Sequence, residues 1–482
     1  MTNKAVCIHG HFYQPPREDP LTGLIPREPG AEPFANWNER ILAHCYRPNA
    51  ALGNFERISF NIGPTLTRWM NDHHPDILEK IIQQDGHNMD RFGVGNAIAQ
   101  PYHHTILPLA TREDKETQVR WGIMDFKAHF GHAPAGMWLP ETAVDIETLE
   151  ILALNAIQFT ILAPWQALKK NIDVTKPYFV PLPDNKWITI FFYTEDLSGR
   201  ISFDPSITSD ADHFVKDFLL PKYGLNADRK KDKPELFTIA TDGELYGHHQ
   251  SFRDKFLQRL TTKSLKSQGI DLTFPALWLK DYPANEMMAI RPYTSWSCSH
   301  GVLRWENECG CTPNGGWKQP LRSALNQIAA VVDQEYLKVM RKYPVNPWEL
   351  RNAYGLVLAG VKSEEKLIES VLRVPLSQGE MQTLQILLAA QYERQRIFTS
   401  CGWFFDDFGR IEPQNNVAYA AQAVWLTYLA TGVDLTMQAM AWLRPVKSWR
   451  NSVQADEVFM QHLNHAKAAA LSLSKWSTNR GN

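Results

Sequence analysis

The sequence predicts an α/β fold: a parallel sheet or barrel first, then a domain made of helices. Three observations carry that reading. Short apolar runs alternate with helical patterns through the N-terminal part of the chain, the order expected of βα units. Residues able to do chemistry follow directly on several of those runs. After Pro320 the apolar runs give way to amphipathic or buried helical patterns, with no strand between them.

Taken in order, the expected strands are Ala5–His9, Ile58–Ile62, Asn96–Ala99, Gly136–Leu139, Phe159–Leu162, Trp187–Tyr193 and Phe237–Thr241. Helical segments such as Arg112–His129 and Ile146–Leu154 lie between them. His9 and His11, Gln100 to His104, Glu141 and Asp242 stand at or just past strand ends. In a βα barrel those ends converge on one face, where active sites are built. Past Pro320 the expected helices are Leu321–Met340, Trp348–Ala359, Met381–Phe398, Val417–Thr431 and Val458–Leu473. Pro15–Pro33 reads as a long loop able to shape a binding site, and Arg229–Lys233 as a solvated charged loop.

At 482 residues the chain is too long for one typical domain, and 44% apolar against 21% charged residues is ordinary for a globular protein. A formal net charge of −2 gives no electrostatic reason to expect nucleic acid or an anionic membrane as partner. No apolar run follows Met1 and none approaches the length that spans a bilayer, so the expected location is the cytoplasm. Cys7 and Cys45 read as buried small hydrophobes, and the six cysteines do not form a disulfide scaffold.

The strongest constellation pairs Trp138-Leu139-Pro140-Glu141 with Thr241-Asp242-Gly243-Glu244. Each sets a carboxylate just past an apolar strand. Retaining glycosidases need two carboxyl groups about 5–5.5 Å apart, one attacking the anomeric carbon and one shuttling a proton. A lone Glu after a strand is more often a cap or surface residue, so this spacing alone does not separate a glycosidase from other acid/base enzymes. Gly243 permits close backbone approach and adds weight to Asp242. The second constellation is His9-Gly10-His11, whose side chains both point to one side of a strand. Two uses compete for it, sugar-hydroxyl contacts and metal ligation. Tyr102-His103-His104 and Gly247-His248-His249 add further histidines.

These motifs resemble glycoside hydrolase family 57. His9-Gly10-His11-Phe12-Tyr13-Gln14-Pro15 is similar to its first region, with two residues inserted before Gln-Pro, and Tyr102 through Leu109 to its second. Gly136-Met137-Trp138-Leu139-Pro140-Glu141 resembles the third, and Ala240-Thr241-Asp242-Gly243-Glu244-Leu245-Tyr246-Gly247 the fourth. Thr294 through Trp305 is the candidate for the fifth. The nearest likeness is to a branch marked by His-Gly-His-Phe-Tyr-Gln-Pro-Pro and by Cys309-Gly310-Cys311.

The resemblance implies an incomplete (β/α)7 barrel over residues 1–290, and an α-helical C-terminal domain over 291–482 completing the active-site cleft. It implies retaining hydrolysis or transglycosylation of α-glucans, with Glu141 as nucleophile, Asp242 as general acid/base and neither cofactor nor metal. The partner is then an α-glucan or oligosaccharide, with no nucleic acid and no membrane. His9, His11, His104, His248 and His300 become candidate sugar-hydroxyl contacts, and Trp138, Trp296 and Trp305 candidate stacking faces. Glu244 is assigned a structural hydrogen bond.

Two other readings stand beside this one. A metal-dependent hydrolase or deacetylase would use His9, His11 and Asp242, and a lapsed enzyme would keep only carbohydrate binding. Separately, Cys298, Cys309, Cys311 and Cys401 are enough thiols for a tetrahedral zinc site. Their Cys-x-Cys spacing is tighter than usual and nothing in the sequence brings Cys401 near, so buried free thiols are the favoured reading.

Overall fold

The computed structural model describes residues 3–225 and 234–478, so the charged run Arg229–Lys233 lies outside the described residues. The chain divides into two compact units. One is formed by the residues up to Gln14 with Arg27–Tyr102 and Asp125–Ser297, the other by Pro15–Pro26, His103–Met124 and the chain from Cys298 onward.

The first unit is built on parallel strands. β1 (Lys4–Phe12) pairs in parallel with β2 (Ser59–Ile62). Parallel bridges then run from Phe60 to Ala97, from Ala99 to Met137 and from Gly136 to Phe159. The last leads into β3 (Phe159–Leu162). β4 (Tyr178–Leu182) is antiparallel to β5 (Lys186–Phe192), which is parallel to β3. β6 (Glu235–Asp242) lies along the other side of β1, and the short β7 (Asp271–Thr273) pairs with the start of β1. With the two bridged segments counted, seven parallel elements follow one another around the ring, and the chain just past β5 meets β6 where Thr194 N–H donates to Thr238 O at 2.7 Å. This is an incomplete (β/α)7 barrel, the fold expected above.

Two expected strands, Asn96–Ala99 and Gly136–Leu139, are reduced to isolated bridges, the one between them held by Ala99 N–H to Gly136 O at 3.0 Å and Trp138 N–H to Ala99 O at 2.8 Å. Pro101 and Pro140 follow them closely and cannot extend a ladder.

Side-chain alternation settles which faces look inward. Ala5 and Cys7 of β1, Phe159 and Ile161 of β3, and Leu236 and Ala240 of β6 pack into one buried cluster with Ile98, Trp138 and Phe191. His9 and His11 share the parity of Ala5 and Cys7, and Asp242 that of Leu236 and Ala240. All three therefore face the same interior, at the C-terminal ends of their strands.

In the second unit the principal helices are Lys318–Met340, Pro347–Ala353, Gly355–Leu358, Gln378–Arg396, Ile411–Thr431 and Ala455–Thr478. The expected Trp348–Ala359 helix is thus interrupted at Tyr354. A charge network is buried here. Arg394 pairs with Asp114 at 2.5 Å and Asp333 at 2.7 Å, and Arg351 with Asp114 at 3.2 Å. Among the described residues no helix is long and apolar enough to cross a membrane.

Candidate active site

Glu141 stands immediately past the Gly136–Leu139 segment with a left-handed backbone, φ 57° and ψ 21°. A non-glycine residue adopts this region only where its surroundings hold it, and such positions cluster at functional sites. The surroundings here are Trp296 and Ser297. Trp296 N–H donates to Glu141 O at 3.0 Å, its indole Nε1–H to Glu141 Oε2 at 2.9 Å, and Ser297 Oγ–H to the same oxygen at 2.7 Å. Main chain and carboxylate are thereby fixed together.

Asp242 is the last residue of β6, in register with His11 of β1. Its side chain is open to solvent, yet the protein around it is dense. That burial raises its pKa to about 6. Glu244 is buried, and burial, opposed by the Tyr46 hydrogen bond and reinforced by the charge of Asp242, raises it to about 8. Tyr46 O–H donates to its Oε1 at 2.7 Å and Tyr13 N–H at 3.1 Å, which matches the structural hydrogen-bonding part expected of it. Gly243 lies against the Phe12 ring, where a Cβ would come within 2.4 Å, so only glycine fits between the two carboxylates.

The histidines of β1 are buried and held by polar side chains. His9 bonds Ser59 Oγ at 3.0 Å through Nδ1 and Asn61 Oδ1 at 3.2 Å through Nε2, and His11 Nδ1 lies 3.2 Å from the same Asn61 Oδ1. Asn61 in turn donates to Gln100 Oε1 at 2.7 Å. Burial lowers His9 to about 3 and His11 to about 4, so both rings are neutral. Trp138 stacks on His9 and His11, with centroids 4.8 and 5.1 Å apart, and meets Trp296 edge-on at 5.0 Å. One aromatic cluster thus joins the Glu141 donor Trp296 to His11, the neighbour of Asp242.

Trp138 is fully buried, with no ring face open to solvent. His248 lies beside His44 and Trp37, and its buried Nδ1 has no hydrogen-bond partner among the described residues. The second unit holds the other candidates. His104 bonds Ser400 Oγ at 2.7 Å, Trp305 is fully buried, and exposed His300 lies 3.5 Å from Cys311 Sγ. Ser59, Asn61 and Ser297 were not among the expected site residues. Asn61 had a readable signal, since it is the penultimate residue of the expected strand Ile58–Ile62 and lies opposite His11 in register.

Among the described residues the only group of three or more His, Cys, Asp or Glu with converging ligand atoms is Cys298, His300, Cys309 and Cys311. His9, His11 and Asp242 do not converge in that way, and both ring nitrogens of His9 are already engaged. The geometry does not fit the metal-hydrolase reading.

A family model described as glycosyl hydrolase family 57 matches residues 27–291, more than half of the chain. The chain belongs to glycosyl hydrolase family 57. A second model, a domain of unknown function (DUF3536), matches residues 314–475 of this family 57 member. No curated protein matches it by sequence. Among solved structures it is similar to an exo-type maltose-forming amylase from Pyrococcus sp. ST04, with TM-score 0.73 and 15% identity over 96% of this chain and 89% of that one. A GH57-type branching enzyme from Pyrococcus horikoshii gives 0.61 and 14% over 97% and 95%. A 4-alpha-glucanotransferase from Thermococcus litoralis gives 0.56 and 16% over 89% and 60%. At these identities the likeness establishes the fold that family 57 shares.

Proposed function

We propose that this chain cleaves or transfers α-glucosidic linkages by double displacement, with Glu141 as nucleophile and Asp242 as general acid/base. The observation that carries the reading is the contrast between the two carboxyl groups. Glu141 is oriented by two donors on one oxygen, whereas Asp242 faces the barrel mouth with its pKa raised to about 6. In the first step a Glu141 oxygen attacks the anomeric carbon while Asp242 gives its proton to the departing glycosidic oxygen. In the second, Asp242 takes a proton from water or from a sugar hydroxyl, which displaces Glu141 and restores the configuration. The amylase, branching and glucanotransferase activities named for the similar structures support α-glucan as the substrate class.

Neutral His11 is proposed as a sugar contact, and the unpartnered Nδ1 of His248 would find its partner in a sugar hydroxyl. Trp138, buried beneath the β1 histidines, is proposed as a positioning residue for them, and Trp296 as both stacking face and Glu141 donor. The balanced net charge supports a partner that is neither nucleic acid nor membrane, and a cytoplasmic location is proposed with it, in keeping with described helices too short or too polar to cross a membrane. The test is proton NMR of the first products from a panel of maltooligosaccharides and glycogen. An initial α-anomer is expected, and an initial β-anomer would contradict retention. Products longer than the substrate would mark transfer; short ones alone would mark hydrolysis.

A further inference from the structure

The segment from Cys298 to Gly316 has little regular structure, one short 3-10 turn at Leu303–Trp305 and one bridge from Cys309 to Thr312. Inside it two short hooks face each other. Cys298-Ser299-His300-Gly301 turns back on itself with Gly301 N–H donating to Cys298 O at 3.1 Å, and Cys309-Gly310-Cys311-Thr312 does the same through Thr312 N–H to Cys309 O at 2.9 Å. Each hook offers its first and third residue. Cys298 Sγ and Cys309 Sγ are 3.9 Å apart, Cys311 Sγ and His300 Nδ1 are 3.5 Å apart, and all four ligand atoms lie within 4.8 Å of one another.

These are the dimensions of a single tetrahedral ion. Zn–S bonds of about 2.3 Å and a Zn–N bond of about 2.0 Å separate ligand atoms by about 3.5 to 3.8 Å. The spacing is too long for a disulfide, which needs about 2.05 Å, and the four cysteines after residue 290 are all free thiols. We propose that Cys298, His300, Cys309 and Cys311 bind one structural zinc ion that pins this segment.

Two further features fit. Three thiolates and one neutral imidazole leave a bound divalent ion with net charge −1. Lys318, at the start of the following helix, offers the opposite sign: it is fully buried and its Nζ has no hydrogen-bond partner among the described residues. Gly310, between the second pair of ligands, leaves room for the imidazole, because a Cβ there would stand 3.3 Å from His300 Cε1. The ligand set also differs from the sequence expectation, since His300 takes the fourth place that Cys401 had been considered for. His300 is thereby given a metal-binding part in place of a sugar contact.

The test is metal analysis of the full-length chain, purified without chelating resins. One zinc per chain is expected. Cys309→Ser and Cys311→Ser should each lose most of it, His300→Ala should release it at least tenfold more readily to a competing chelator, and Cys401→Ser should keep it. If the ligand variants fail to fold, X-ray absorption of the wild-type chain still decides, with three sulfur neighbours and one nitrogen expected around zinc. Absence of stoichiometric zinc from reduced protein, iron in its place, or a Cys298–Cys309 disulfide in freshly purified chain would each overturn the proposal.

Discussion

Two sets of enclosed carboxyl groups in this molecule are treated in opposite ways. In the helical unit, burial would raise the pKa of Asp114, but the Arg394 and Arg351 guanidinium groups and the Gln395 amide bring it below the ordinary carboxylate range. In the barrel, Asp242 and Glu244 form no ion pair among the described residues, and burial carries them upward to about 6 and about 8. Asp114 and Glu244 are both enclosed, and Asp242 is densely surrounded though open to solvent; the supply of a cation is what differs. The helical unit surrounds its buried carboxylate with cations, and the barrel leaves Asp242, the carboxyl proposed to exchange a proton, without one.

The largest effect expected from this contrast is on chemistry. Glu141→Gln and Asp242→Asn should each lower kcat on α-glucan by about a thousandfold or more, with circular dichroism and melting temperature close to wild type. Full activity in either variant would break the barrel half of the comparison. On the helical side, Asp114→Asn leaves two buried guanidinium groups undercompensated and should cost about 3–5 kcal/mol in denaturant unfolding. Its activity per folded molecule should be unchanged.

The pH dependence sharpens the contrast. Asp242 must carry its proton to protonate the leaving oxygen, so kcat/KM on glucan should fall as pH rises through about 6. A substrate whose leaving group needs no proton should lack that limb. The smallest expected effect concerns Glu244, whose pKa is raised from 4.5 to about 8 in the folded chain. A raised carboxyl pKa means the folded state holds the proton more tightly, so stability declines as pH climbs between those two values. Glu244→Gln should flatten that decline, seen as a shallower fall of melting temperature between pH 5 and 8 (~3 units). Asp114 has the opposite sign: its stabilisation is present above its ordinary value of 3.8 and is lost as pH falls further.

Much of the barrel could be read in advance because its strands are fully buried apolar runs, and Phe159–Leu162 has the expected boundaries. The strand Tyr178–Leu182 was not expected. Its Pro181 breaks the usual pattern, and it is tolerated because β4 is the edge strand of its sheet, flanked on the side away from β5 by a bridge from Phe179 to Met287, and joined to β5 by a turn in which Asp184 and Asn185 both have φ 55°. At the site, Glu141, Asp242 and the β1 histidines were legible because strand ends and motifs mark them. Ser297, and the convergence of His300 rather than Cys401 on the thiols Cys298, Cys309 and Cys311, were not, since they depend on how loops fold back, and no periodicity records that.

The central claim is that Glu141 forms the covalent bond to sugar while Asp242 moves the proton. The most direct measurement is trapping, with Asp242→Asn, a slow α-glucosyl fluoride substrate, and peptide mapping by mass spectrometry. The account predicts one glycosyl group esterified to the peptide bearing Glu141. A glycosyl label on any other residue, or an absent adduct with a first product of inverted configuration, would contradict it.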